Sequence, residues 1–260
     1  MLQNYRFDFL IELSRRKIIE KYIGSSFVLL WVVLAPLIPL LTNLLIFYYI
    51  AKVPQVKEMG VLGYGVFIFS GLLPYRVFQK GLADASGLLI ANMEVLKSAP
   101  FPLPFLGIAS LGAVIFEFGV QFVFLLVILL ISGVGIHWEI LLLPLALVFF
   151  SFFVLGSIWI IAVLGYLLKD IQEVINVIFM ALVYITPTMY PPEAAPGIIQ
   201  KLININPLTH MIIVFRDVWT PGVDGLQVMS WVYFSALSIG LLIIGYLLTQ
   251  KTQKFVGDLI

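Results

Sequence analysis

Glu117 is an acid set well inside a long apolar run, Leu103 to Ile131, and Gln121 follows it one helical turn later. At four residues' spacing two helical side chains share a face. A carboxylate at bilayer depth costs about 2.5–3.5 kcal/mol on insertion scales, so such a residue is a functional candidate by default. Two kinds of chemistry fit the pair: proton transfer, or a hydrogen bond holding helices together. A relay would require further acids or histidines at similar depth in neighbouring runs, and these runs have none. The expectation is therefore a structural hydrogen-bonding group, with the energy for any transport supplied from outside the chain.

Other reactive constellations are missing. No G-x-x-x-x-G-K-[ST] loop is present to cradle nucleotide phosphates, and no H-E-x-x-H is present to hold zinc. The two histidines, His137 and His210, are far apart and without carboxylates at ligand spacing, so no metal is expected. Asp84, Glu94 and Asp170 are scattered over short polar segments instead of pairing as an acid–base set. Gly63-Tyr64-Gly65 matches a tripeptide of potassium filters, but "KVPQVKEM" before it is no pore helix and a full apolar run follows. Cysteine is absent, which excludes disulfides and thiolate metal sites.

The elements that must position these residues are membrane helices. Of the 260 residues, 62% are hydrophobic and 11% charged, against about 45–50% and 25% in soluble domains. Apolar runs of about 20 residues cross a bilayer, and backbone polar groups inside it force them to be helical. The runs predict an all-α polytopic fold with six spans, at 27–51, 61–82, 103–131, 138–168, 171–190 and 228–249. Counting Lys and Arg at the span ends places eleven (Arg6, Arg15, Arg16, Lys17, Lys21, Arg76, Lys80, Lys97, Lys169, Lys251, Lys254) on one side. Four (Lys52, Lys57, Lys201, Arg216) fall on the other. The positive-inside rule then puts both termini in the cytoplasm. Trp138, Trp219 and Trp231 would lie at the outer boundary. Residues 1–26 contain no small-residue cleavage site and are not read as a cleaved signal peptide. Apolar Phe7, Leu10, Ile11, Ile18 and Ile19 at helical spacing, beside basic neighbours, predict a helix lying on the inner surface. The near-zero net charge of +1, with no basic arm, gives no reason to expect nucleic acid.

Between the second and third spans, residues 86–98 read as a short amphipathic helix stopped by "PFPLP". A helix pinned between two spans works as a lever, because a push on its tip rotates both. Asn92, Met93, Glu94, Val95, Leu96 and Lys97 form that tip, and its apolar members favour a protein partner.

Two blocks carry a family resemblance. "FSGLLPYRVFQKGLADASGLLIANMEVLKSAPFPLPFL" (69–106) resembles the central block of the permease subunits of type 2 ABC exporters. There an F-x-G-L-L-P-W/Y block precedes a coupling helix and an F-P-x-x-x-x-P segment. Here Leu103 follows Phe101-Pro102 where the family usually has a charged residue. "TPTMYPPEAAPGIIQKLININPLTHMIIVFRDV" (186–218) is similar to their C-terminal block, with N-P-L-T at 206–209 and Phe-Arg-Asp at 215–217. The likeness covers nearly the whole chain and is nearest to O-antigen, capsular polysaccharide and teichoic-acid permeases.

The resemblance implies a half-transporter of the type 2 permease fold in a bacterial cytoplasmic membrane. Two copies would form the pore, and two separate ATPase subunits would dock on the coupling helices and hold ATP and Mg, leaving this chain without a cofactor or an enzymatic role. The substrate would be a polysaccharide on a polyprenyl or other lipid carrier, moved outward. A related permease for a drug or small lipid is the runner-up. An intramembrane glycan-modifying enzyme ranks third, since it would need clustered acids or histidines.

A sugar path calls for aromatic faces with scattered polar groups. Trp31, Thr42 and Tyr49 lie near one face of the first span, since eighteen residues are five helical turns. Phe179, Tyr184 and Tyr190 are the candidates after the fourth span. Finally, Pro187, Pro191 and Pro192 break the fifth apolar run. Non-helical backbone at membrane depth is tolerated only where it is buried or lines a cavity. Residues 191–206 are therefore expected to form a pair of short re-entrant helices dipping in from outside. Asn206-Pro207 would turn the chain back toward the last span, and together these residues would form an outer gate. The alternative is a folded external cap.

Overall fold

The computed structural model describes residues 11–16, 37–38, 41–50, 58–98, 102–133, 135, 137–192, 195–219 and 226–258. Among them the regular structure is entirely helical. Residues 11–16 are helical, with Ile11 exposed and Leu13 packed against the core. The rest of the surface helix expected over 1–26 lies outside the described residues. We label the subsequent helices α1 (Leu41–Ile50), α2 (Gly60–Ser86), α3 (Leu88–Ala91), α4 (Met93–Ser98) and α5 (Leu103–Ser132). After a 3-10 turn at Trp138–Leu142 come α6 (Leu143–Leu167), α7 (Ile171–Ile185), α8 (Gly197–Ile205), α9 (Pro207–Trp219) and α10 (Val228–Asp258).

Among the described residues four helices are long and apolar enough to cross a membrane: α2, α5, α6 with its leading turn, and α10. These helices include the apolar runs at 61–82, 103–131, 138–167 and 228–249. Prolines and glycines set several ends. Pro102 and Pro104 open α5, where proline fits because the first turn has no intrahelical N–H partner. Gly133 closes it at φ 72°, the left-handed conformation that glycine adopts freely. The span expected at 27–51 falls mostly outside the described residues. Its end, α1, is an apolar helix whose second half, Leu45–Ile50, is a π-helix.

The fifth run departs from expectation. It is helical only over the 15 residues of α7, about 22 Å at 1.5 Å per residue and short of the ~30 Å hydrocarbon core. The reason is the Thr186-Pro187 break, where proline cannot donate and restricts its predecessor. The following pair also differs. Its limbs are α8 and α9, bent by 83° at Asn206. Asn206-Pro207 is thus the corner between the limbs and not the exit from them, and the pair reaches to Trp219, beyond the expected range 191–206.

Close backbone approach holds the bundle together. α10 packs along α6, and α2 packs against α5, α6, α7 and α9. At the α6–α10 crossing, a Cβ on Gly156 would stand 2.5 Å from Leu242 N, and one on Gly245 2.5 Å from Gly156 O. Lipid tails are as apolar as leucine, so membrane helices associate through such van der Waals contact, which small residues permit. Between the helices Phe118, Phe150 and Phe215 meet with ring centroids 5.4 Å apart in each pair. Phe153 bridges Phe78 and Phe234. Gly63-Tyr64-Gly65 lies within α2 with Tyr64 fully buried, so it exposes no filter carbonyls. Trp219 is also a core residue, packed on Phe122.

Candidate translocation face, corner clamp and tip

Arg76, Gln79, Lys80 and Ala83 fall at i, i+3, i+4 and i+7 along α2 and so form one stripe. The opposite side of the same turns, Tyr75, Phe78 and Leu82, is buried. Because α2 continues to Ser86, Lys80 and Arg76 lie about 9 and 15 Å inside the helix end. Lys80 Nζ reaches Glu117 Oε1 at 3.0 Å, with Lys80 half exposed and Glu117 largely covered. Glu117 sits midway along α5, and Gln121 one turn on. Asn176 of α7 completes the lining of a cavity of about 290 Å³. Glu117 thus has as its partner Lys80, which the sequence reading had grouped with the cations at the end of the run 61–82.

The corner between α8 and α9 is built by Asn206. Its Oδ1 accepts from Leu208 N at 3.0 Å while Pro207 occupies the first helical position. This is an asparagine cap followed by proline at the site that tolerates it. Asn206 Nδ2 donates to Thr186 Oγ1 at 2.8 Å, tying the corner to the end of α7. Thr186, Pro187, Thr188, Met189 and Pro191 are buried, as the irregular backbone requires, and Pro192 is half-buried. Tyr64 OH donates to Met189 O at 2.6 Å, and Arg216 Nη2 to Thr188 O at 2.8 Å. The Arg216 guanidinium also stacks over the Phe67 ring, 3.6 Å from its centroid. Asp217 accepts from Gln227 N and Trp231 Nε1, both at 2.9 Å, and so joins α9 to the start of α10.

The aromatic candidates divide. Tyr184 is exposed, and Tyr190, half-buried, donates its hydroxyl to Tyr184 O at 2.7 Å. Tyr49 is exposed on α1 against Tyr48, which stacks on Tyr64. Thr42 shares α1 and bonds its own Ile38 carbonyl at 2.8 Å. Trp31 lies outside the described residues. Phe179 must be corrected: its ring is buried between Tyr75 and Phe78, and its carbonyl takes the Tyr75 hydroxyl at 2.7 Å. It packs the protomer core.

At the tip, the helix expected over 86–98 is broken in two at Asn92, whose side chain bonds Leu88 O at 2.8 Å. Met93 is half-buried and Glu94 exposed; Val95 and Lys97 belong to the same short helix. Leu96 is a second correction. It is buried in the core cluster of the protomer.

The model of the ABC-2 type transporter family matches residues 10–219, most of the chain, including the tip, the polar stripe and the corner. The chain belongs to the ABC-2 type transporter family. This permease is 27% identical over 241 residues to an O-antigen export system permease protein of Klebsiella pneumoniae, covering 90% of this chain and 88% of that one. It is 22% identical to a namesake from Myxococcus xanthus, covering 84% and 82%. The polysialic acid transport protein KpsM of Escherichia coli is 27% identical, with 86% of each chain covered. Among the described residues of the permease no group of acids and histidines could hold a metal.

Sequence reasoning missed Arg76, Lys80, Asn176 and Arg216 as site residues. The first two lay within the apolar run 61–82 but were counted with the cations at its end.

Proposed function

We propose that this permease is the membrane-spanning subunit of an ATP-driven exporter that moves a lipid-linked, O-antigen-like polysaccharide outward across the bacterial cytoplasmic membrane. Two copies form the path, and two ATPase subunits bind ATP and Mg and dock on the tips around Glu94 and Met93. Six spans per copy with the short α7 as the fifth, cytoplasmic termini and an outer gate formed by the α8–α9 pair belong to the same proposal.

The carrying observation is the polar stripe. Arg76, Lys80 and Asn176 are exposed on a protomer whose other outward residues at comparable positions, such as Phe116, Val123, Val127 and Leu130 on α5, are apolar. Charged side chains at membrane depth face a bundle interior or a water-filled cavity because lipid cannot solvate them. A stripe on the outside of one protomer is therefore covered by a second copy or by the path between copies. Exposed Tyr49 and Tyr184 provide the aromatic faces on which sugar rings stack. The buried irregular backbone at 186–191 favours a re-entrant pair over an external cap.

The test is complementation. The chain is co-expressed with its ATPase in cells lacking their own polysaccharide exporter, and surface polymer is measured alongside native mass spectrometry of the purified complex. Surface polymer and a two-plus-two assembly are expected. A correctly assembled complex that exports a drug or a small lipid but no polymer would overturn the reading.

A further inference from the structure

Arg76 has no hydrogen-bond or ion-pair partner among the described residues, although it lies about 15 Å inside the end of α2. Beside it Lys80 is matched by Glu117 at 3.0 Å. Among the described residues the lining of the cavity they share has two cations and one acid, with the amides of Gln79, Gln121 and Asn176 completing its wall. A purely structural ion pair would not need the second cation, whose burden in lipid is large. An excess positive charge with convergent amide donors is a site for an anion. Guanidinium presents five donors in a planar fork that matches phosphate oxygens, and an ammonium adds a point charge. The volume of about 290 Å³ is near the lower bound of small-ligand pockets, about 300 Å³, so it suits a charged headgroup but not a polymer.

We propose that the cavity between α2, α5 and α7 is a phosphate-binding subsite at membrane depth, with Arg76 and Lys80 as its anion ligands and Glu117 as the counterion that holds Lys80 when the subsite is empty. The inference rests on the export reading above, in which phosphate arrives either on the lipid carrier or within the exported polymer. Arrival of phosphate shifts Lys80 from Glu117 toward the anion, so the carboxylate competes with the ligand. Removing the carboxylate's charge strengthens binding, an outcome that a merely structural Glu117–Lys80 link does not produce.

The permease–ATPase complex is reconstituted in uncharged phosphatidylcholine nanodiscs and titrated with farnesyl diphosphate, with farnesol, and with a glycerol-phosphate oligomer. Farnesyl diphosphate is expected to bind and farnesol not to compete. Arg76→Gln should weaken the diphosphate about tenfold to a hundredfold, the loss of one or two charge-assisted hydrogen bonds. Arg76→Lys should recover part of that loss, and Glu117→Gln should tighten binding several-fold. Binding of the glycerol-phosphate oligomer in place of farnesyl diphosphate, with the same dependence on Arg76, would support the subsite and assign its phosphate to the polymer. Equal binding by wild type and Arg76→Gln, or weaker binding by Glu117→Gln, would overturn it. Surface polymer made by the wild-type chain is scored separately. Polymer export with Arg76-independent phosphate binding sinks this inference alone, whereas no polymer export by wild type sinks the export reading.

Discussion

Replacing Gly156 with alanine probes the crossing of α6 and α10. A Cβ there would stand 2.5 Å from Leu242 N, where ordinary contact begins near 3.4 Å, so the helices must part by close to 1 Å at that point. A gap of 0.5–1 Å forfeits roughly a quarter to a half of each dispersion contact it opens. Overpacking of a tight site costs about 1–3 kcal/mol, and at this chain length each kcal/mol lowers Tm by about 2–4 °C. A fall of about 3–10 °C is therefore expected for purified Gly156→Ala in detergent, followed by tryptophan fluorescence. Gly245→Ala should behave alike, because its Cβ would meet the same Gly156 carbonyl at 2.5 Å. The double variant should cost less than the sum, since one opening accommodates both methyls and neighbouring sites couple. Gly240→Ala, on the same helix with nothing within 4 Å, is the control and should leave Tm nearly unchanged. Additive effects at 156 and 245, or a drop at 240 equal to that at 156, would refute the crossing.

Three further outcomes are expected. Arg216→Ala removes the bond to Thr188 O and the stacking on Phe67, costing about 2–4 kcal/mol; it should also expose residues 187–191 to proteolysis, and an unchanged cleavage pattern would remove the clamp. Glu94→Arg inverts the charge of the exposed tip and should abolish transport-coupled ATP hydrolysis while membrane insertion persists, whereas Leu96→Asp should instead impair folding because that side chain is buried. Tyr184→Ala should slow polymer export without dissociating the complex, and unchanged export would move this exposed ring out of the path.

Much of the architecture follows from local chemistry. Sixty-two per cent hydrophobic residues in long runs require lipid as solvent and helices within it. Proline at 187, and asparagine followed by proline at 206–207, dictate a break and a capped corner through their own backbone restrictions, wherever the neighbours lie. Composition and the two motif blocks likewise sufficed to indicate the family. The corner's position was legible, but its role between the limbs was not, because Pro207–Trp219 is too short to announce itself as an element separate from the last span.

What only the tertiary structure decided is which side of each helix faces inward. Lipid and the protein core are equally apolar, so the strongly hydrophobic α5 and α6 carry no polarity contrast to mark their buried face. Phe179 on α7 and Leu96 on α4 are both buried, which depends on how those helices pack and not on their own sequence. Pairings at long range were equally hidden: Lys80 with Glu117, Arg216 with Thr188, and Gly156 with Gly245. Each depends on the angle at which two helices cross, which is set by packing across the bundle and by no residue's own preference.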